Sequence, residues 1–293
     1  MKLIHKSPIP ESKTFVIKNL RERHFDPELH SHPEYQLFVV LEGRGSRFIG
    51  DSVNPFRAGD MVFTGPHLPH LWRSDKVYFE RDSELMTRGI VIYIWEHFLN
   101  SLSHHKAEME QIYQLFQKAA RGLEITGDTR ERVMELMIQL TMLDGIDSII
   151  TLLQILNILA KSAECFPIAH AEYVNVHKEM EKIRMNKVYG YIMNNFQEKI
   201  SFKTIAKIAH MSPTSFSRYF TSRARKSLSE FLKEIRISHA CKLLLEDEMN
   251  IGQIANECGY YTISNFNKHF MEIMKSTPTD YKKNFQEDFI STT

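Results

Sequence analysis

Thr204–Phe231 reads TIAKIAHMSPTSFSRYFTSRARKSLSEF, and Gln253–Tyr281 reads QIANECGYYTISNFNKHFMEIMKSTPTDY. The two stretches run in parallel. Phe216, Arg218, Phe220, Ser227 and Phe231 each stand fifty residues before Phe266, Lys268, Phe270, Thr277 and Tyr281. Ile205-Ala206 and Ile254-Ala255 are forty-nine apart, so the second copy has one extra residue in its turn. Self-similarity at a fixed spacing marks a repeated supersecondary unit.

Each copy reads as a short helix, a tight connection and a second helix. In the first, Ser201 stands at the start of a helix running through Lys207, and Ser212-Pro213 supplies an N-cap followed by proline at the first helical position. Thr262 takes the capping part in the second copy. The phenylalanines at i, i+4 lock the second helix onto a core. Thr214, Ser215, Ser217 and Arg218 are left outward in copy one, and Ser264, Asn267 and Lys268 in copy two. Hydroxyls, an amide and cations at the start of an exposed helix are the groups that read base edges and grip phosphates, so duplex DNA is the expected partner.

The glycine-aromatic, Phe-x-Lys-x-Phe and Thr-Pro-x-x-Tyr elements of IANECGYYTISNFNKHFMEIMKSTPTDYKK stand in the register of one known signature. Residues 183–285 resemble the DNA-binding region of the AraC family of bacterial transcription regulators. The resemblance implies two helix-turn-helix motifs, 201–223 and 250–274, joined by a long helix from about Ser227 to Leu245. It also implies recognition helices that enter successive major-groove turns ~34 Å apart. RNA polymerase is a further partner open to such a regulator. Two positions depart from the family, which usually has glycine where this chain has Arg225 and Lys275. Glycine there would suit a left-handed helix terminus, so both cations are expected near phosphates at a small cost in cap stability.

Upstream the pattern changes. Between about Thr14 and Trp95, short runs rich in Val, Ile, Phe and Tyr (TFVIKNL, YQLFVVLEG, SRFIG, DMVFTG, GIVIYIW) are punctuated by glycine and proline turns, as in a β-sandwich or barrel. Helical periods follow. HKAEMEQIYQLFQKAARG ends at Gly122, and GDTRERVMELMIQLTMLDG starts with Asp128 or Thr129 as cap. DSIITLLQILNILAKS is apolar nearly all round, and one small domain seldom covers two apolar faces, so a second subunit is expected against it. The organisation expected is 1–100 sensing, 101–182 helical dimerisation or linker, and 183–293 DNA-binding. In class this is a two-domain α+β protein, a β-barrel with flanking helices followed by an all-α domain.

The front also resembles a cupin, the sensing domain that AraC-type regulators often carry. The cupin pattern of His-x-His, an acid and then glycine reads here as His30, His32, Gln36 and Gly43, and GDMVFTGPHLPHLW, which resembles the second cupin motif, supplies His70. If His30 and His32 lie on one strand, they share a face and can aim together into a barrel. Three histidines could hold a divalent metal. Gln36 brings no charge where the family places an acid, so the metal is the lesser reading and no cofactor is required. Pocket-lining histidines are the greater one. Aromatic walls from Trp72, Trp95, Tyr35, Phe38 and Phe48, with Arg47, Glu34 and Gln36 as polar contacts, would suit a small polar, sugar-like effector.

Bulk properties agree with two jobs. Residues 1–184 hold 22 Lys and Arg against 25 Asp and Glu, a charge of −3; residues 185–293 hold 15 against 11, or +4. No apolar run is long enough for a bilayer, and the N-terminus lacks a signal-peptide core, so a cytoplasmic protein is expected. Three widely spaced cysteines exclude a simple disulfide framework. The reading is a ligand-responsive, homodimeric transcription regulator rather than an enzyme. Its rivals are a metal-dependent cupin enzyme fused to a DNA-binding domain, and an effector-independent DNA binder.

Overall fold

Residue Phe38 points one way from its strand and its neighbours Leu37 and Val39 the other, and all three are buried. A strand buried on both faces needs a layer on each side. A computed structural model, which describes residues 9–10, 12–80, 82–95, 98, 107–171, 179–224, 226–246 and 249–283, supplies both. The chain divides into two compact units, the first made of residues 1–52 and 56–175 and the second mainly of residues 176–293.

The first unit contains β1 (Phe15–Glu22), β2 (Tyr35–Glu42), β3 (Gly45–Ile49), β4 (Ser52–Phe56), β5 (Met61–Thr64), β6 (His70–Ser74) and β7 (Thr87–Ile94). After these come α1 (Glu110–Ala119), β8 (Leu123–Ile125), α2 (Gly127–Leu140), α3 (Gly145–Lys161) and β9 (Cys165–Pro167). One sheet has the order β1-β7-β2-β5-β8-β9 and a second has β4-β3-β6. Antiparallel register sets Ile92 beside Leu37 and Leu37 beside Phe63, a row that packs on Phe116, Met137, Leu152 and Leu156 of the helices. The neighbouring row, Val91, Phe38 and Val62, turns toward Ile49, Phe56 and Trp72 of the smaller sheet and forms the barrel interior. Leu156 and Phe63 have no exposure, and truncating either to alanine is worth about 2–5 kcal/mol.

Gly122 shows why α1 ends where it does. Its φ is +66°, and a Cβ there would meet Ile49 Cγ2 at 2.5 Å. Two expectations are corrected in this region. The segment read as wholly helical contributes β8 and β9, three-residue strands too short to show a period. The cap position of α2 is Thr126, ahead of Asp128 and Thr129, while Glu164 from beyond α3 accepts the Thr129 backbone N–H at 2.8 Å. On α3, Thr151, Leu152, Ile155 and Leu159 are buried, but Ile146 and Ile150 are exposed, as are Ile138 on α2 and Met142 just after it.

The second unit is helical: α4 (Glu179–Asn195), α5 (Phe202–Ile208), α6 (Pro213–Ala224), α7 (Leu228–Glu246), α8 (Ile251–Glu257) and α9 (Ile263–Met274). Its halves repeat in space what they repeat in sequence. Phe216–Phe220 and Phe266–Phe270 ring centroids lie 5.6 and 5.7 Å apart, and Phe220–Phe231 and Phe270–Tyr281 lie 5.4 and 5.7 Å apart. The long α7 starts at a reciprocal cap in which the Ser227 N–H donates to Glu230 Oε2 and the Glu230 N–H to Ser227 Oγ. Further along, its Ile237, Ala240, Cys241 and Leu244 belong to the core of the second half. Lys233 of α7 also reaches Glu272 of α9 at 3.1 Å.

Candidate DNA interface and ligand cavity

Helices α6 and α9 present matching faces. Thr214, Ser215, Ser217 and Arg218 are exposed around buried Phe216, and Ser264, Asn267 and Lys268 around buried Phe266. Asn265 is exposed in the place equivalent to Ser215, and the fifty-residue spacing adds it to the residues expected to face DNA. Both helix starts are capped from the side chain: Ser212 Oγ accepts the Ser215 N–H at 3.2 Å, and Thr262 Oγ1 accepts that of Asn265 at 3.4 Å. Ser201, by contrast, makes no side-chain cap bond, whereas Asn250 and Gln253 form a full capping box at α8.

Lys275 ends α9 at φ 57°, the left-handed conformation expected of the glycine it replaces. Its Nζ donates to the Glu272 carbonyl at 2.8 Å, so the side chain that strains the terminus also satisfies one of its carbonyls. Arg225 lies outside the described residues.

In the first unit, a cavity of about 440 Å3 opens between β1, β2, β6 and β7. Leu20, Phe25, Phe38 and Trp72 give it apolar walls, and His30, Gln36 and Tyr93 line its polar part. Phe25, Tyr93 and Lys18 come from parts of the chain with no motif to mark them. Burial pushes the Tyr93 hydroxyl up to about 12, so it stays a neutral donor. The aromatic assignment divides. Phe38 and Trp72 face the cavity, whereas Tyr35 packs on Phe63 and Phe116, and Trp95 joins the same helix-facing core. Phe48 is buried on β3 without lining the cavity.

The histidines converge by a route other than the expected one. His30 and His32 precede β2 and do not share a regular strand, and Pro33 separates them from β2. His30 instead forms an isolated antiparallel bridge with His70, with N–H to carbonyl distances of 3.1 and 2.9 Å. The His32 carbonyl accepts the His67 N–H at 2.7 Å. One ring nitrogen from each of His30, His32 and His70 lies within 4.8 Å of the others.

Each Nδ1 rests on a carbonyl: His30 on Glu28 at 2.8 Å, His32 on Glu34 at 3.1 Å and His70 on Leu68 at 2.7 Å. A carbonyl only accepts, so Nδ1 carries the proton and a neutral ring is left with a lone pair on Nε2. Burial, with the charges of His30 and His32 adding to it, holds His70 well below the ordinary histidine value, so that ring is neutral. Gln36 Oε1 then lies 3.0 Å from His32 Nε2 and 3.3 Å from His70 Nε2, an acceptor against two lone pairs. Either the amide is turned to donate its NH2 to both rings, or a cation sits among the four atoms. The donor set therefore fits a divalent metal, with His30, His32 and His70 as ligands and Gln36 as a weak neutral fourth. Glu34 is fully buried, with Oε2 3.3 Å from His32 Nδ1.

Arg47 does not line the cavity. It is 1% exposed, with Nε 3.4 Å from Asp60 and Nη2 donating to Glu124 of β8. Register explains the placement: Arg47 pairs with Trp72 across β3 and β6 and shares its inward face. Burial raises the Asp60 pKa, and Arg47 and the Trp72 N–H oppose that shift.

Duplicated helix-turn-helix units behind a β-barrel with an internal cavity define a DNA-binding transcription regulator with a separate ligand-type domain. Residues 205–284 match the helix-turn-helix domain family, and residues 19–77 match the cupin domain family. The Msm operon regulatory protein of Streptococcus mutans is 22% identical, over 90% of this chain and 88% of its own. The transcriptional activator RhaR of Mannheimia succiniciproducens is 20% identical, over 91% of each. A DNA-binding transcriptional dual regulator of Escherichia coli K-12 aligns in structure at 27% identity, over 39% of this chain and 99% of that one, with a TM-score of 0.34. The chain thus carries a helix-turn-helix domain and an N-terminal cupin domain, and these relatives, similar across most of its length, are named as transcription regulators. Among the described residues no helix is long and apolar enough to cross a membrane.

Proposed function

We propose that this chain is an effector-responsive, cytoplasmic regulator in which a small polar, sugar-like molecule binds the cupin cavity and alters DNA binding. The observation that carries this reading is the cavity itself: Phe25, Phe38 and Trp72 offer ring faces to sugar C–H groups, and His30, Gln36 and Tyr93 supply hydrogen-bonding groups for hydroxyls. The exposed Ile138, Met142, Ile146 and Ile150 support a homodimer through α2 and α3, since a second copy would cover an apolar row that water otherwise meets. An effector can change operator occupancy only if it binds the DNA-competent arrangement with different affinity. A DNase footprint of the full chain with and without a panel of mono- and disaccharides tests the reading. The expected result is a changed footprint with a sugar that also raises the melting temperature. A panel in which no sugar does either would contradict it.

The histidine cluster favours a second reading for the same cavity, a bound divalent metal. When present, it would act as a Lewis acid that anchors an effector oxygen. His30, His32 and His70 would hold it, oriented by the three carbonyls behind them. Metal content of the purified full chain before and after chelation tests this: stoichiometric metal supports it, and a metal-free protein with unchanged sugar binding contradicts it.

A further inference from the structure

The structure places the extra residue of the second helix-turn-helix unit. The Met211 N–H donates to the Ala206 carbonyl and that of Tyr260 to the Ala255 carbonyl, both at 2.9 Å. His210 and Gly259 occupy the same left-handed turn position at φ 54° and 76°. Up to Met211 and Tyr260 the copies are therefore in register forty-nine residues apart. From the caps Ser212 and Thr262 onward they are fifty apart. The residue without a counterpart is Tyr261, and it is 90% exposed.

Ile263, two residues on, is 51% exposed at the first turn of α9, where the first unit has Pro213. Its side chain leans over α8, since a Cβ built at Gly252 would meet Ile263 Cδ1 at 3.5 Å. That distance is an ordinary van der Waals contact, so the isoleucine lies against the preceding helix. The second unit presents a held, outward apolar edge ahead of Asn265 and Asn267. The first unit presents the compact ring of Pro213, hydroxyls and Arg218 there.

We propose that Ile263 is a specificity-determining residue that packs on the 5-methyl group of a thymine, with Tyr261 positioning the helix start against the flanking backbone. Residues at the N-terminal end of a recognition helix are the ones that reach base edges. Thymine is the base that offers an apolar group in the major groove, and asparagine pairs bidentately with adenine. The two half-sites held by one chain are then read by different chemistry. The second unit selects A·T pairs by methyl and amide contacts, while the first reads through hydroxyls and a guanidinium. Solvent exposure of two large apolar side chains at this edge is accounted for by the duplex that covers them.

The test begins with selection of a preferred duplex from a random library by the full chain, followed by single replacement of each thymine with uracil. One replacement should weaken wild-type binding about fourfold, the worth of one buried methyl. Ile263→Ser should bind the thymine and uracil duplexes equally, and Ile263→Val should keep most of the difference. The proposal is overturned if no uracil replacement weakens binding, or if Ile263→Ser keeps the full penalty. It is also overturned if Tyr261→Ala and Ile263→Ser bind DNA as the wild type does but lose transcription activation, which would assign the edge to RNA polymerase.

Discussion

The indole N–H of Trp72 donates to Asp60 Oδ2 at 2.9 Å, so a wall of the cavity in the first unit is tied to a buried carboxylate. Asp60 faces Arg47, and Arg47 faces Glu124 on β8, the strand that pairs with β9 near the end of the first unit. A buried charge that loses its partner is costly. Arg47→Ala should therefore lower the stability of the first unit by about 3–5 kcal/mol in urea unfolding. A loss below about 1 kcal/mol would show that the network is solvated.

Gln36→Glu places a carboxylate between His32 and His70, where two lone pairs now meet a neutral amide. Negative charge and harder donor atoms favour a divalent ion. Affinity for a divalent metal, read by calorimetry, should rise at least about tenfold. An unchanged affinity would mean that the three histidines do not act together as a ligand set.

Arg218→Ala and Asn267→Ala remove exposed groups from α6 and α9, the helices expected to meet the bases. Each should relax preference at one base position, at a cost of ~1–3 kcal/mol on the preferred duplex. Uniform weakening across all sequences would reassign that residue to a phosphate contact.

At Lys275 two effects compete. Glycine relieves a left-handed backbone at φ 57°, worth about 1 kcal/mol, and deletes a cation. Lys275→Gly should raise the melting temperature while reducing the salt slope of DNA binding by about one. A lower melting temperature would show that the bond from Nζ to the Glu272 carbonyl outweighs the strain, and an unchanged slope would remove Lys275 from the phosphate contacts.

Much of the second unit was legible because its information is local. Phe216, Phe220 and Phe231 repeat at fixed spacing as Phe266, Phe270 and Tyr281, and the caps Ser212 and Thr262 follow from that spacing, whereas the capping box at Asn250 does not. The site of the inserted residue was not, since only the backbone bonds of Met211 and Tyr260 separate it from its neighbours. In the first unit the histidines were identifiable by motif, but not how they meet. His30 reaches His70 through a single bridge across forty residues, a long-range pairing that no local period records. The same holds for Arg47: its inward position depends on register with Trp72, and its partners Asp60 and Glu124 come from a turn and a three-residue strand.

The proposed function requires that the cavity and the DNA-binding faces share one equilibrium. Linkage requires that an effector which changes operator affinity be bound with correspondingly different affinity by free and DNA-bound protein. The most direct measurement is a titration of the stabilising sugar into the full chain, alone and saturated with its selected duplex. The dissociation constants should differ about fivefold or more between the two. Equal constants would contradict it.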